Sequence, residues 1–388
     1  MSLRPWIILA ALAVARIAFG YQVQSVATIA TDLVARFGLT YTRLGSLIGV
    51  YNLLGVFAAL PLGLLARRFG DRWVMGAGLA LMTGGACLSV CAPTEFGIGA
   101  GRTVAGLGAV ALSVLQAKVI ADWFTGPSFV IALSVPICAF PIGQGLAQLV
   151  LPPVLTGFGL QAALLTDVVP AGLALLLFLP SYREPAHAVV PRRFSLPSRR
   201  ECLLLVVAGG IWTAYTAGLS GFTSYLPSSL SLQGYGLGAI ALVMTVATWG
   251  NVPGTLVGGG LAARFGAFTI FLIGSLSLSI GMAGTAVTAW PVAWAMLLGF
   301  GGSIQPGVIM AVGTLSARPE NRAVGMGLFY TLYYVGATFT PALCGMVADY
   351  AGRPEGGVLA AAVICTLAIP LFVLHRSLAS HERMLVRA

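Results

Sequence analysis

Twelve apolar stretches, each about twenty residues long, follow one another along this chain with little between them. They run near 6–28, 44–65, 73–91, 97–118, 128–149, 161–180, 202–225, 238–261, 267–289, 292–314, 323–347 and 357–375. An α-helix of about twenty residues, rising about 1.5 Å per residue, crosses the roughly 30 Å hydrocarbon core of a bilayer. Charged residues are 8% of the chain and apolar ones 58%, with mean hydropathy +0.94, so no water-soluble surface can be assembled from it. Barrel strands are about ten residues long and alternate apolar with polar, a pattern these runs lack. The expected fold class is an all-α membrane protein of twelve transmembrane helices. Short connections make neighbouring helices antiparallel.

One connection is long and polar. Residues 182–200 carry Pro185, Pro191 and Pro197 among Arg183, Arg192, Arg193, Arg199 and Arg200, and they divide the spans six and six. The halves echo each other. Gly63-Leu64-Leu65-Ala66-Arg67-Arg68-Phe69-Gly70 returns in reduced form as Gly259-Gly260-Leu261-Ala262-Ala263-Arg264-Phe265-Gly266, 196 residues later (259 − 63). Such a repeat implies two versions of one module, the plan of many secondary transporters. The expected organisation is an N-terminal six-helix bundle over 1–181, a cytoplasmic basic linker over 182–200 and a C-terminal six-helix bundle over 201–388.

Arginine and lysine are retained on the cytoplasmic side of a membrane, and their placement sets the orientation. With the N-terminus inside, sixteen cationic residues face the cytoplasm and three (Arg36, Arg43 and Arg353) face out. Both termini are then cytoplasmic. Abundant Ala, Gly and Arg beside a single Lys suit a GC-rich bacterial gene, which makes a bacterial inner membrane the expected location and a monomer the expected state. The net charge of +10 is spread over short loops, which argues against a nucleic-acid partner. The opening Arg4-Pro5-Trp6 leads into a helix too long for a cleaved signal.

The six cysteines, Cys87, Cys91, Cys138, Cys202, Cys344 and Cys365, fall in or beside apolar spans and read as small packing residues rather than a disulfide framework. Cys87 and Cys91 alone make a poor soft-metal site, so no metal is expected. His187, His375 and His381 fall in expected cytoplasmic segments. Without a Gly-Lys-Ser/Thr phosphate loop or a nucleophile–base set, the chain does not read as an enzyme, and no cofactor is expected.

Two cations remain inside the spans, Arg16 in the first and Arg102 in the fourth. A buried membrane arginine costs roughly 3 to more than 10 kcal/mol, so each should turn toward a partner or a wet cavity. Arg16 lies near the bilayer midplane, where carriers hold their cargo, and is expected to bind solute; an ion pair with a buried carboxylate is the alternative. Arg102 shares a helical stripe with Gly106, Ala109, Ser113 and Gln116, either facing a pathway or bracing the first half. Tyr21, Gln24, Ser25 and Thr28 form a polar face that lines a cavity or bonds neighbouring helices. Asp167, a little over one turn into the sixth span, offers a protonatable group for coupling, or a residue shallow enough to reach the interface. Asp32 reads as a helix-end or gate residue. In the second half Trp212, Tyr215, Gln305, Tyr330, Tyr333 and Tyr334 are candidate solute contacts, with packing as the alternative, and Gln305-Pro306-Gly307 is a bending point.

These features together resemble the major facilitator superfamily. Gly63 to Arg72 is similar to that superfamily's G-x-L-A-D-R-x-G-R-K turn, and Arg102-Thr103-Val104-Ala105-Gly106-Leu107-Gly108 matches its R-x-x-x-G-x-G signature. One departure stands out: the acidic position is Arg67 and the later basic position is Asp71, four residues on, so that the two could pair across a turn. Ala121-Asp122-Trp123-Phe124, and Tyr333-Tyr334-Val335-Gly336 followed by Pro341, Gly345, Asp349 and Gly352, resemble the branch that includes cyanate and nitroimidazole carriers, and are shared with other anion carriers. The fifth span does not match the drug-antiporter signature. The resemblance implies two pseudo-symmetric bundles, alternating access about a midplane cavity, and gating or coupling roles for Arg67, Asp71, Arg102 and Asp122. The expected cargo is a small anionic solute moved by proton symport or anion exchange. Efflux of hydrophobic drug-like compounds and a non-transporting sensor are the alternatives.

Overall fold

The structure, a computed structural model, describes residues 4–124, 127–183, 197–318 and 322–385; within these, the side chains at 60, 63, 64, 67, 121, 127–131, 133, 134, 322–324 and 380–385 are outside the description. Every regular element among the described residues is helical. Arg4–Thr28, continued by Ala30–Phe37, forms the first span, and Tyr41–Leu53 with Gly55–Phe69 the second. Asp71–Cys91 and Glu95–Trp123 are the third and fourth. Among the described residues, ten helical stretches are long and apolar enough to cross a bilayer. One of these, Val135–Ser181, has 47 residues, about 70 Å of helix and more than twice what a bilayer needs. It breaks at Gly159, whose φ of +82° excludes most side chains, and so holds the fifth and sixth spans.

In the second half the seventh span is Arg199–Leu232, opened by a capping box between Ser198 and Glu201. Leu237–Trp249 with Asn251–Phe265 is the eighth, and Ala267–Val287 the ninth. The tenth runs from Pro291 to Leu315 with a central break, the eleventh is Arg322–Ala351, and Pro354–Thr366 with Ala368–Leu385 is the twelfth. The repeated turn closes alike in both halves: Gly70 and Gly266 have φ of 88° and 90°.

Contacts group the chain into two compact units, Met1–Leu39 with Ser46–Pro191, and Thr40–Gly45 with Arg192–Ala388. In the first unit Leu12, Met75, Leu79, Leu112 and Phe178 are fully enclosed and form the centre of its apolar core. The linker expected at 182–200 lies outside the described residues over 184–196.

The tenth span bends where the sequence places a bend. A π-helical turn, Leu297–Gly301, passes into the short 3-10 turn Gly302–Ile304, and a new helix starts at Pro306. Proline has no N–H, so the carbonyl of Gly302, four residues back, loses its usual donor. Gln305 Nε2 donates to that carbonyl at 3.1 Å, and Gln305 Oε1 accepts from Ser275 Oγ at 2.7 Å. The side-chain amide thus takes the place of the missing backbone donor, which inside a bilayer cannot be left to water.

One side-chain expectation is corrected: Cys87 and Cys91 are exposed and do not pack inside the protein, whereas Cys344 and Cys365 are buried. His375 is buried within Ala368–Leu385, with its Nε2 2.8 Å from Ser316 Oγ.

Candidate functional site

Arg16 stands twelve residues into the first helix, about 18 Å along it. Its guanidinium carbon lies 4.8 Å from the centre of the Phe19 ring and 5.0 Å from that of Phe140, and Nη1 donates to Ser113 Oγ at 3.2 Å. Two aromatic faces and one hydroxyl therefore aim a half-buried positive charge. Each ring contributes about 0.5–2 kcal/mol of cation–π attraction. Phe19 and Phe140 were not expected from the sequence; only Ser113, on the stripe with Arg102, was singled out.

Arg102 is 5% exposed and faces inward. Nε donates to Leu47 O at 2.9 Å, Nη2 to Ile48 O at 3.1 Å and Nη1 to Gln22 O at 3.0 Å, with the guanidinium over the Tyr51 ring at 5.1 Å. The fourth span is thereby tied to the first and second. The signature's glycines serve the same packing: a Cβ at Gly106 would strike the carbonyl of Tyr51, and one at Gly108 that of Gly78. Gly106 and Ala109, on the same stripe, are buried too. Of the two readings of this stripe, the contacts of Arg102 favour the brace at its Arg102 end.

The centre of this brace is Gln22, which sequence reasoning missed. Its Nε2 donates to Met82 O and to the backbone carbonyl of Asp167, both at 3.2 Å, and its Oε1 accepts from Tyr51 Oη at 3.0 Å. One amide thus joins the first, second, third and sixth spans. The only cue in the sequence was its place beside Tyr21 in a polar run. Tyr21 itself is 5% exposed and donates to Thr166 Oγ1 at 2.8 Å, a bond between helices. Gln24 is 1% exposed, and its Nε2 has no hydrogen-bond partner among the described residues.

Asp167 lies eight residues past Gly159, about 12 Å into the sixth span, and is 7% exposed. Of the two readings of this residue, its burial favours an enclosed carboxyl over one that reaches the interface. Asp167, Arg102, Gln22, Tyr51 and Ser89 line one small polar cavity inside the first unit.

In the second unit the aromatic candidates form a chain. Ring centroids lie 5.7 Å apart for Trp212–Tyr215, 6.1 Å for Trp212–Phe329 and 5.5 Å for Phe329–Tyr330, then 6.4 Å for Tyr330–Tyr333 and 5.0 Å for Tyr333–Tyr334. Tyr215 and Tyr334 are buried, Trp212 and Tyr333 half-buried and Tyr330 exposed. Gln305, also proposed from sequence as a solute contact, is buried with both ends of its amide bonded as above.

Of the swapped charges of the signature turn, one has a described partner. Asp71 is buried and its Oδ2 pairs with Nζ of Lys118, the sole lysine of the chain. The side chain of Arg67 lies outside the described residues. Asp122 joins this pair electrostatically: burial raises its pKa, Lys118 opposes the rise and Asp71 adds to it, with the net direction upward. Asp32 is a half-buried acid in the first turn of Ala30–Phe37, where it complements the helix dipole. In the second unit, Asp349 accepts the first-turn N–H groups of Tyr41 and Thr42 at 2.8 and 2.9 Å, along with the Thr42 hydroxyl. Burial alone would raise the Asp349 pKa, but these bonds outweigh it and hold it below the ordinary carboxylate range.

Comparison with known proteins agrees with this architecture. The sequence matches the Major Facilitator Superfamily profile over residues 10–297 and 234–385. It is 27% identical over 354 residues to the 2-nitroimidazole transporter of Escherichia coli (strain K12), with 85% of each chain covered. It is 30% identical over 114 residues to the inner membrane transport protein YajR of the same organism, a match spanning 27% of this chain and 25% of that one. Among solved structures, a bacterial homologue of the human lysosomal transporter Spinster, inward-facing and occupied, superposes with a TM-score of 0.77 at 15% identity, covering 97% of this chain and 98% of that one. Its inward-facing, unoccupied form gives 0.75 at 14%. Six spans and six, two signature turns, the arginine–glycine signature and a profile match over nearly the whole length converge on one statement: the chain belongs to the Major Facilitator Superfamily of multi-pass membrane transporters.

Proposed function

We propose that the chain moves a small anionic solute across a bacterial inner membrane by alternating access, driven by proton symport or anion exchange. The observation that supports this is Arg16, a half-buried cation held inside an apolar span between Phe19 and Phe140. A fixed positive charge in low dielectric attracts an anion far more strongly than it would in water. The relative that transports 2-nitroimidazole narrows the class. A nitro group withdraws electrons from such a ring and makes its N–H acidic, so the solute is a flat heterocycle with an anionic edge. Arg16 then meets the negative edge; in the second unit, taken by itself, the less buried rings Trp212, Tyr330 and Tyr333 are suited to a planar face. Tyr21, Arg102 and Gln305 act behind this surface as bracing residues, and Gln24, Tyr215 and Tyr334 stand beside them. Arg67, Asp71, Asp122 and Asp32 are assigned to gating. In this reading both termini are cytoplasmic, the bundles are residues 1–181 and 201–388, and 182–200 is the cytoplasmic linker of a monomer.

A second reading, efflux of hydrophobic drug-like compounds, is favoured by the aromatic chain from Trp212 to Tyr334. A panel of solutes against purified protein separates the two. Thermal stabilisation and saturable proteoliposome uptake with 2-nitroimidazole and small carboxylates are expected. Stabilisation by lipophilic cations instead would establish the second reading and end the first.

A further inference from the structure

We propose that Gln116 reads the solute: its side-chain carbonyl accepts an N–H carried beside the solute's negative edge, so the protein selects anionic heterocycles with a ring N–H donor. This rests on Arg16 as the anion contact proposed above and narrows the cargo that contact takes. Three observations carry it. Gln116 Oε1 is enclosed and has no hydrogen-bond partner among the described residues. Gln116 stands three residues beyond Ser113 on the fourth span, and Ser113 Oγ accepts the Arg16 Nη1 hydrogen bond at 3.2 Å. Burial along their stripe changes at that point: Arg102, Gly106 and Ala109 are buried, whereas Ser113 and Gln116 are half-buried.

The stripe is thus closed by its brace at the Arg102 end and opens where Arg16 meets it. Side chains three apart on a helix lie about 5–6 Å from each other at Cβ, so a small ring held by Arg16 at Ser113 comes within reach of the Gln116 amide. A carbonyl oxygen shut away without a donor is costly, the more so inside lipid, where water cannot replace the missing partner. An amide kept for bracing is built like Gln22, which makes three bonds to other spans. Gln116 Oε1 makes none among the described residues, and its lone pairs are left for a donor that arrives. The two groups ask for opposite things. A guanidinium only donates and needs a negative edge; an amide oxygen only accepts and needs an N–H or O–H. A ring N–H next to a carboxylate offers both along one edge. An analogue with ring oxygen in that place keeps the charge and the shape but turns a lone pair toward Gln116 Oε1. A site built around such a hydrogen bond rejects the analogue lacking it far more strongly than an apolar pocket rejects a missing methylene.

The test uses the full chain in proteoliposomes with pyrrole-2-carboxylate and furan-2-carboxylate, two planar carboxylates, ionised at neutral pH, that differ in ring N–H against ring oxygen. Arg16 meets the same charge in both, so their ratio reports the N–H acceptor. Half-inhibition of labelled pyrrole-2-carboxylate uptake should need at least about tenfold more furan-2-carboxylate than unlabelled pyrrole-2-carboxylate. Gln116→Leu should bring the two within about twofold of each other, and Arg16→Ala should weaken both alike. Equal inhibition by the two in the unmodified protein, a comparison that needs no variant, would overturn the proposal, as would a preference that survives in Gln116→Leu. In either case the anion reading stands so long as Arg16→Ala weakens both probes. If the preference follows Gln116 while Arg16→Ala takes up pyrrole-2-carboxylate as before, the anion reading fails and the N–H acceptor stands. No saturable uptake of either probe by the unmodified protein would overturn both.

Discussion

Gln22 and Gln24 are neighbours of the same type, both almost completely buried, and replacing them should have opposite consequences. Leucine at position 22 keeps the approximate volume but removes donors to Met82 O and Asp167 O and the acceptor for Tyr51 Oη. Hydrogen bonds between membrane helices average about 0.6 kcal/mol each, so three lost bonds cost roughly 2 kcal/mol. A Tyr51 hydroxyl left without an acceptor adds about 1–2 kcal/mol. Gln22→Leu should therefore destabilise the protein by about 3–4 kcal/mol, and its melting temperature in detergent should fall by roughly 5 °C or more. Gln24→Leu removes an amide nitrogen that has no partner among the described residues, and should leave stability unchanged or raise it by about 1 kcal/mol. Differential scanning fluorimetry of the two purified variants gives the comparison. Equal effects, or a larger loss at position 24, would refute the assignment of Gln22 as the central tie.

Three further outcomes follow from the same geometry. Asp71→Lys or Lys118→Asp alone should each cost about 1–3 kcal/mol, with the double exchange recovering most of it, since the buried Asp71 tolerates reversal only with its partner; a thermal-stability double-mutant cycle measures this. Asp122 has a pKa raised in the fold, so its neutral form is favoured below the unfolded carboxylate pKa and that advantage is lost as pH rises through the folded value; Asp122→Asn should stabilise at neutral pH and have no effect in strong acid. Asp349 has the opposite sign, a lowered pKa whose stabilisation is present above the unfolded value and lost as pH falls through the folded one; Asp349→Asn should destabilise at neutral pH and flatten the acid limb of a stability–pH curve.

The spans and their grouping were readable because lipid imposes length and hydropathy on every crossing helix. The tenth-span break was readable from Pro306, since a missing N–H acts locally. What the sequence could not reveal was which carbonyl Gln305 would satisfy, or that Arg102 would face three carbonyls rather than water: both depend on which helices meet at that depth. Gln22 escaped notice for the same reason, because a lone amide in an apolar run looks alike whether it lines a cavity or ties helices together. The reversed signature turn holds a contact that its own spacing does not show. Arg67 and Asp71 are four residues apart, the spacing of a helical pair, yet Asp71 has a partner 47 positions away in Lys118, and no local rule ranks a lysine that distant. Phe140, beside Pro141 in a fifth span that fails the drug-antiporter pattern, carried no sequence signal for its place over Arg16.

The most direct measurement is uptake of labelled 2-nitroimidazole and of a small carboxylate by proteoliposomes holding the unmodified protein, Arg16→Lys or Arg16→Ala, each checked for correct insertion. Saturable uptake is expected from the unmodified chain, with partial retention in Arg16→Lys, which keeps the charge but loses the planar stacking on Phe19 and Phe140. Arg16→Ala should lose on the order of a hundredfold in rate at low solute concentration, the value of about 3 kcal/mol for a charge-assisted contact. Uptake by Arg16→Ala equal to that of the unmodified protein would contradict a carrier that recognises its cargo by negative charge.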